Sequence, residues 1–182
     1  MKKILIIAFV LIISLGILQS CQQPSSTKDT TATSSEKPTE DSVAQHLKTF
    51  DELDFDVYSN QKFDRLHESH AQNIKVFWPD GHITEGLEAH IADMKKMFVF
   101  APDARIKEHP IRIGTGNHTA VTGVYEGTFT KPMPIGNGKF IQPTGKAFKF
   151  PMCTVGVWEN GVMVEEHLFW DNETFSKQIG LQ

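Results

Sequence analysis

The chain has 182 residues, of which 40% are hydrophobic and 22% charged, with a formal net charge of −4 at pH 7. Its Lys and Arg residues form no cluster, and Lys2 and Lys3 leave with any cleaved leader, so nucleic acid is not an expected partner.

Lys2 and Lys3 precede an apolar run from Ile4 to Leu18, too short and wrongly flanked for a stable membrane span. Leu18-Gln19-Ser20-Cys21 follows and resembles a lipobox. The expectation is a signal peptide over residues 1–20 and lipidation at Cys21. Localisation is then extracytoplasmic, anchored to a bacterial membrane. One acyl chain gives only marginal binding at about 0.8 kcal/mol per buried CH₂. The lipobox resemblance implies more than one chain, hence a durable anchor. Residues 21–40 are rich in Ser and Thr, hold Pro24 and Pro38, and lack large apolar side chains, as in a disordered tether. With Cys21 lipidated, Cys153 has no partner for an intramolecular disulfide and reads as a buried thiol.

The folded domain is expected over residues 41–182. Val43, Leu47, Phe50 and Val57 share a helical stripe, so Asp41–Val57 reads as an amphipathic helix, capped by Thr39 or Asp41. A short helix with Phe63 and Leu66 inward follows. Asn73–Trp78 reads as a strand ending in the Pro79-Asp80-Gly81 turn. Leu87, Ile91, Met94 and Phe98 give a second long helix from about Glu85, ended by Pro102. Four strands are expected after it: 105–113, 119–130, 147–158 and 162–170. Glu159-Asn160-Gly161 is a hairpin turn, and Lys131–Lys146 a hairpin loop or flap. Asn172–Gln178 closes the chain as a helical turn, with Gly180 after it. Helices followed by an antiparallel sheet make an α+β domain.

Alternation divides the last strand into two faces. Val162, Val164, Glu166, Leu168 and Trp170 fall on one, and Met163, Glu165, His167, Phe169 and Asp171 on the other. The second face, with two carboxylates and an imidazole among Met and Phe, is expected to line a cavity suited to proton transfer. The apolar residues of the first face would then point outward and pair two copies into a homodimer.

Phe77-Trp78-Pro79-Asp80-Gly81, Pro143-Thr144-Gly145-Lys146, Glu165-Glu166-His167 with Asp171, and Gln178-Ile179-Gly180-Leu181 resemble the SnoaL-like polyketide cyclases of the nuclear-transport-factor-2-like superfamily. The resemblance implies a curved antiparallel sheet wrapped around helices, forming a cone with an apolar pocket. It implies cofactor-free acid–base ring closure, with Asp171 at the position of the family's catalytic Asp and Glu165 at a second acidic position. His167 would assist, and Trp78, Phe129, Phe148, Phe169 and Met163 are candidate contacts for a small hydrophobic ligand. Gly127-Thr128-Phe129-Thr130 departs from the Gly-Thr-His-Thr of many relatives, which alters the polar network.

Each candidate also has a structural role open to it. Asp171 precedes Asn172-Glu173-Thr174 and suits a helix N-cap as well as a pocket acid. His167 suits a core histidine, Glu165 a partner for backbone or Arg, and the aromatics core packing. His67 and His70 have i, i+3 spacing with no third ligand at a telling distance, so no metal or other cofactor is expected. Acid–base enzyme, binder and structural lipoprotein all remain open, because fold alone does not settle function.

Overall fold

The computed structural model describes residues 40–181, so the expected leader, Cys21, the tether and the Thr39 cap lie outside the described residues. Helix α1 (Glu40–Glu52) buries His46 and Phe50. It does not run on as an α-helix to Val57 as its apolar spacing predicts. From Leu53 to Tyr58 it widens into a π-helical segment in which Leu53, Asp54 and Val57 are buried. Ser59 N donates to the Asp54 carbonyl five residues back, and Ser59 Oγ donates to the same oxygen (2.6 Å). Ser59 Oγ also accepts from Ile106 N (2.9 Å), which fixes the segment to the sheet. Such wide turns occur often at functional sites. A 3₁₀ segment (Phe63–Glu68) follows, with Phe63 and Leu66 buried as expected.

The strands are β1 (His70–Phe77), β2 (Ile83–Glu85), β3 (Arg105–Ile106), β4 (Arg112–Thr115), β5 (His118–Thr128), β6 (Met133–Pro134), β7 (Phe140–Ile141), β8 (Ala147–Glu159) and β9 (Val162–Trp170). Helix α2 (Leu87–Phe100) lies between β2 and β3, and α3 (Asn172–Ile179) follows β9. The main sheet runs β2-β1-β9-β8-β5-β3, with β4 also on β5; β6 and β7 form a separate hairpin. Pairing is antiparallel except between β1 and β9, which are parallel. The result is an α+β fold with a curved antiparallel sheet and helices packed against it. The predicted 105–113 strand is two short ones, β3 and β4, separated at His109-Pro110; a proline has no N–H to donate to a ladder.

One irregularity in β9 controls the site. Val162 pairs with Glu159 and Met163 with Trp158, but Val157 then pairs with Glu165, leaving Val164 as the extra residue of a β-bulge. Met163 is inward before the bulge; Glu166 and Leu168 are inward after it. Met163 lies against Gly156, where a Cβ would sit 2.7 Å from its Sδ, so a side chain at 156 would displace it. Trp158 is anchored nearby: Nε1 donates to Thr119 Oγ1 (2.8 Å), and the ring stacks on His46 (4.6 Å). Trp158, Met163 and Leu168 join Phe50, Leu66, Ile74, Val76 and Ile179 in one buried core. Burying each large apolar side chain contributes roughly 1.5–3 kcal/mol before entropy is counted.

Candidate functional site

A cavity of about 200 Å³ opens between α2, the π-helical segment and the inner face of the sheet. Most of its wall is apolar, from residues such as Leu53, Met94, Phe100, Met152 and Leu168. Its volume is below the ~300–1,000 Å³ usual for drug-sized ligands, which favours a smaller guest. Three polar groupings interrupt this wall.

The first is built on Asp54, which the π-helical segment brings to the cavity. Its Oδ2 lies 2.7 Å from His109 Nε2, and His109 Nδ1 lies 2.7 Å from Asp51 Oδ1. Asp51 Oδ2 is paired in turn with Arg112 on β4 (2.8 Å). The His109 side chain is 1% exposed, whereas those of Asp51 and Arg112 are 28% and 39% exposed. The chain of contacts thus runs from cavity to surface. Burial pushes the Asp54 carboxyl above its ordinary pKa, outweighing the opposing hydrogen bond and charge of His109. For His109, burial acts downward, but its bonds and charge interactions with Asp54 and Asp51 prevail and raise it. Both shifts favour holding a proton within the pair.

The second grouping joins Tyr58 and Tyr125, whose hydroxyl oxygens are 2.7 Å apart at the cavity wall. Burial raises both phenols, keeping them protonated. Each phenol brings one proton, so whichever donates to the other, one O–H remains to be offered.

The third is Glu166 on β9, His70 on β1 and His90 on α2, all buried. Glu166 Oε2 is 3.3 Å from His90 Nε2 and 3.7 Å from His70 Nε2. Burial acts to raise the Glu166 carboxyl, but the two imidazoles outweigh it and hold it below the carboxylate range. One ligand-type atom from each of the three residues falls in a set mutually within 4.8 Å, so these residues could hold a metal ion. Trp78 and Asp93 also line the cavity and are linked through Thr84: Trp78 Nε1 donates to Thr84 Oγ1 (2.8 Å), which donates to Asp93 Oδ2 (2.5 Å).

The sequence-predicted site residues are distributed differently. Trp78 lines the cavity. Asp171 does not: it caps α3, with Oδ1 accepting from Glu173 N (2.9 Å) and Oδ2 from Thr174 Oγ1 (2.6 Å). Those bonds, the Thr174 hydroxyl foremost, lower its pKa, the direction of a cap and not of a pocket acid. Glu165 and His167 contact each other (3.3 Å) on the opposite face of the sheet from Glu166, where His167 stacks on Phe77 (4.2 Å). Phe169 is 54% exposed. Met163, Phe129 and Phe148 are core residues outside the cavity wall.

The reason is the bulge. Strict alternation carried from Met163 puts Glu165, His167 and Phe169 inside; the extra residue reverses this beyond Val164. Leu168 and Trp170 accordingly line the cavity, so the apolar face expected to point outward and form a homodimer is broken up: of its apolar residues, Val162 and Val164 are outside the cavity wall. Asp54, Tyr58, His90, His109 and Tyr125 were missed because distant parts of the chain bring them together. His70 stood in the rejected His67/His70 pair, with its partners 20 and 96 residues further on.

The SnoaL-like polyketide cyclase family matches residues 42–179. The chain belongs to that family. Solved structures agree on the fold of this SnoaL-like protein. A candidate SnoaL-like polyketide cyclase from Jannaschia sp. CCS1 superposes with a TM-score of 0.66 at 20% identity, covering 76% of this chain and 94% of its own. IdmH, a candidate polyketide cyclase from Streptomyces antibioticus, gives 0.63 at 22% identity, with 75% and 99% covered. A protein with a ketosteroid isomerase-like fold from Catenulispora acidiphila, solved with trimethylamine, gives 0.58 at 14%, with 80% and 96% covered. No curated protein matches the chain. Family and fold support ligand binding or a cyclase-type function.

Proposed function

We propose that this SnoaL-like protein binds a small, largely apolar carbonyl compound and moves a proton on it, with Asp54 as acid/base. The observation that carries this reading is Asp54: a cavity carboxyl held above its ordinary pKa and connected through His109 and Asp51 to the surface. A carboxyl tuned toward neutral pH is suited to general acid–base catalysis. The relay gives it a route for exchanging its proton with solvent, and the free tyrosine O–H would stabilise oxyanion charge on the substrate. Cyclisation and isomerisation both begin with such a step.

The test uses small enolisable cyclic ketones in D₂O, with proton exchange at the α-carbon followed by NMR. Exchange should accelerate with the wild-type protein and stop with Asp54→Asn. Neither binding nor exchange across the panel would reject the reading. The mostly apolar wall favours a second reading, a binder without turnover; binding without exchange would select it.

The membrane anchor belongs to the same proposal. Detergent-phase partitioning of the mature protein should be lost in Cys21→Ala, and unchanged partitioning would reject lipidation there.

A further inference from the structure

We propose that His70, His90 and Glu166 form a divalent transition-metal site in the cavity wall. It uses none of the Asp54–His109–Asp51 contacts and does not depend on Asp54 doing chemistry, although the charges of Glu166 and His70 act on Asp54.

Ser69 Oγ donates to the Leu66 carbonyl (3.2 Å) and lies 2.8 Å from His70 Nδ1. With the hydroxyl proton directed at Leu66, Ser69 accepts from Nδ1–H, which leaves Nε2 of a neutral His70 as a lone pair. That lone pair faces Glu166 Oε2 at 3.7 Å; both atoms are buried, and neither has a hydrogen-bond partner in the protein. Glu166 is held ionised by positive charge from its two imidazoles; where His70 is neutral in this tautomer, a bound cation between the two acceptors supplies that charge instead.

A proton is one candidate, but 3.7 Å exceeds the usual 2.7–3.2 Å hydrogen-bond range. A metal fits better. Ligands bound to zinc at about 2.0–2.1 Å in tetrahedral geometry sit roughly 3.3 Å apart. His90 Nε2 and Glu166 Oε2 are 3.3 Å apart and His70 Nε2 is 3.7 Å from the same oxygen, while a donor atom from each of the three residues lies within 4.8 Å of the others, so the three close inward on the ion. The Ser69 contact fixes the His70 ring as a second-shell partner should. Two imidazoles and one carboxylate suit zinc or ferrous iron over calcium or magnesium. All three residues line the cavity, so a further coordination position can face the guest.

Zinc and cobalt(II) are the probes, added to tag-free full-length protein in detergent after chelator treatment. One equivalent of cobalt should bind with the visible absorption of a low-coordinate site, and zinc should displace it. Glu166→Gln and His90→Ala should each weaken binding at least ~100-fold, and Ser69→Ala by ~10–100-fold, the range for second-shell losses. His82→Ala and His167→Ala, at His–carboxylate pairs outside the cavity wall, should change nothing. Should the cavity variants fail to fold, ¹⁵N spectra of the wild-type imidazoles remain decisive. Zinc should move the Nε2 resonances of His70 and His90 and leave the other histidines in place. No binding at millimolar zinc, movement only at other histidines, or a His70 doubly protonated near neutral pH would each overturn the proposal.

Discussion

The two carboxyls of the cavity's polar lining, Asp54 and Glu166, are wired differently. Asp54 reaches the surface through His109, Asp51 and Arg112, each contact within 2.8 Å. Glu166 lies between two buried histidines at longer separations, with no route outward among its described contacts. A carboxyl on a continuous relay can refill its proton from solvent. A carboxylate enclosed by imidazoles keeps its charge and can hold a cation. The same two residue types therefore support proton traffic in one place and fixed charge in the other.

The largest effect should come from cutting the relay at its centre. His109→Leu removes the link between Asp51 and Asp54 and should destabilise the protein by about 3–5 kcal/mol at pH 7, as expected when one member of a buried charged network is lost. Urea denaturation at pH 7 and pH 5 checks this. The loss should be larger at pH 5 than at pH 7, because the raised folded pKa of His109 makes its contribution full below the unfolded value and smaller above it. An equal loss at both would place His109 in packing alone, against Phe50 and Phe55.

The pH dependence of the wild type should follow the same group. The folded pKa of His109 is raised above its ordinary 6.5. Its contribution is fully present below pH 6.5 and is lost as pH rises through the folded value. Asp54, also raised, adds a dependence of the same sign that begins nearer pH 4. Stability should therefore fall on the alkaline side of pH 6.5, and His109→Leu should remove that slope. A wild-type curve flat over this range would contradict proton retention by the pair.

Effects should fade toward the surface. Arg112→Met breaks a partly exposed pair and should cost only ~0–1 kcal/mol. At Asp171, Asn is about as good an N-cap as Asp, so Asp171→Asn should leave thermal stability unchanged. Asp171→Ala should lower it, with neither variant affecting cavity chemistry. Loss of ketone exchange in Asp171→Asn would restore it as a pocket acid.

Much of this contrast was out of reach of the sequence. Helical spacing located α1 and α2, turn residues located the β8–β9 hairpin, and the Trp78 motif identified a cavity residue. The Asp54 grouping depends on a π-helical segment held by Ser59, which apolar periodicity reads as ordinary helix. The Glu166 grouping depends on a single bulged residue, Val164, and a period-two reading through it exchanges inside for outside. Both local irregularities lie at the cavity. The regular elements, where pattern and structure agree, mainly form the core.

The most direct test of the account is a carboxyl-¹³C titration of the aspartates in the full-length protein. Asp54 and Asp171 should move apart in one experiment. Asp54 should titrate above the ordinary value of 3.8 and Asp171 below it. An Asp54 that titrates at or below 3.8 would contradict its role as the cavity's acid/base.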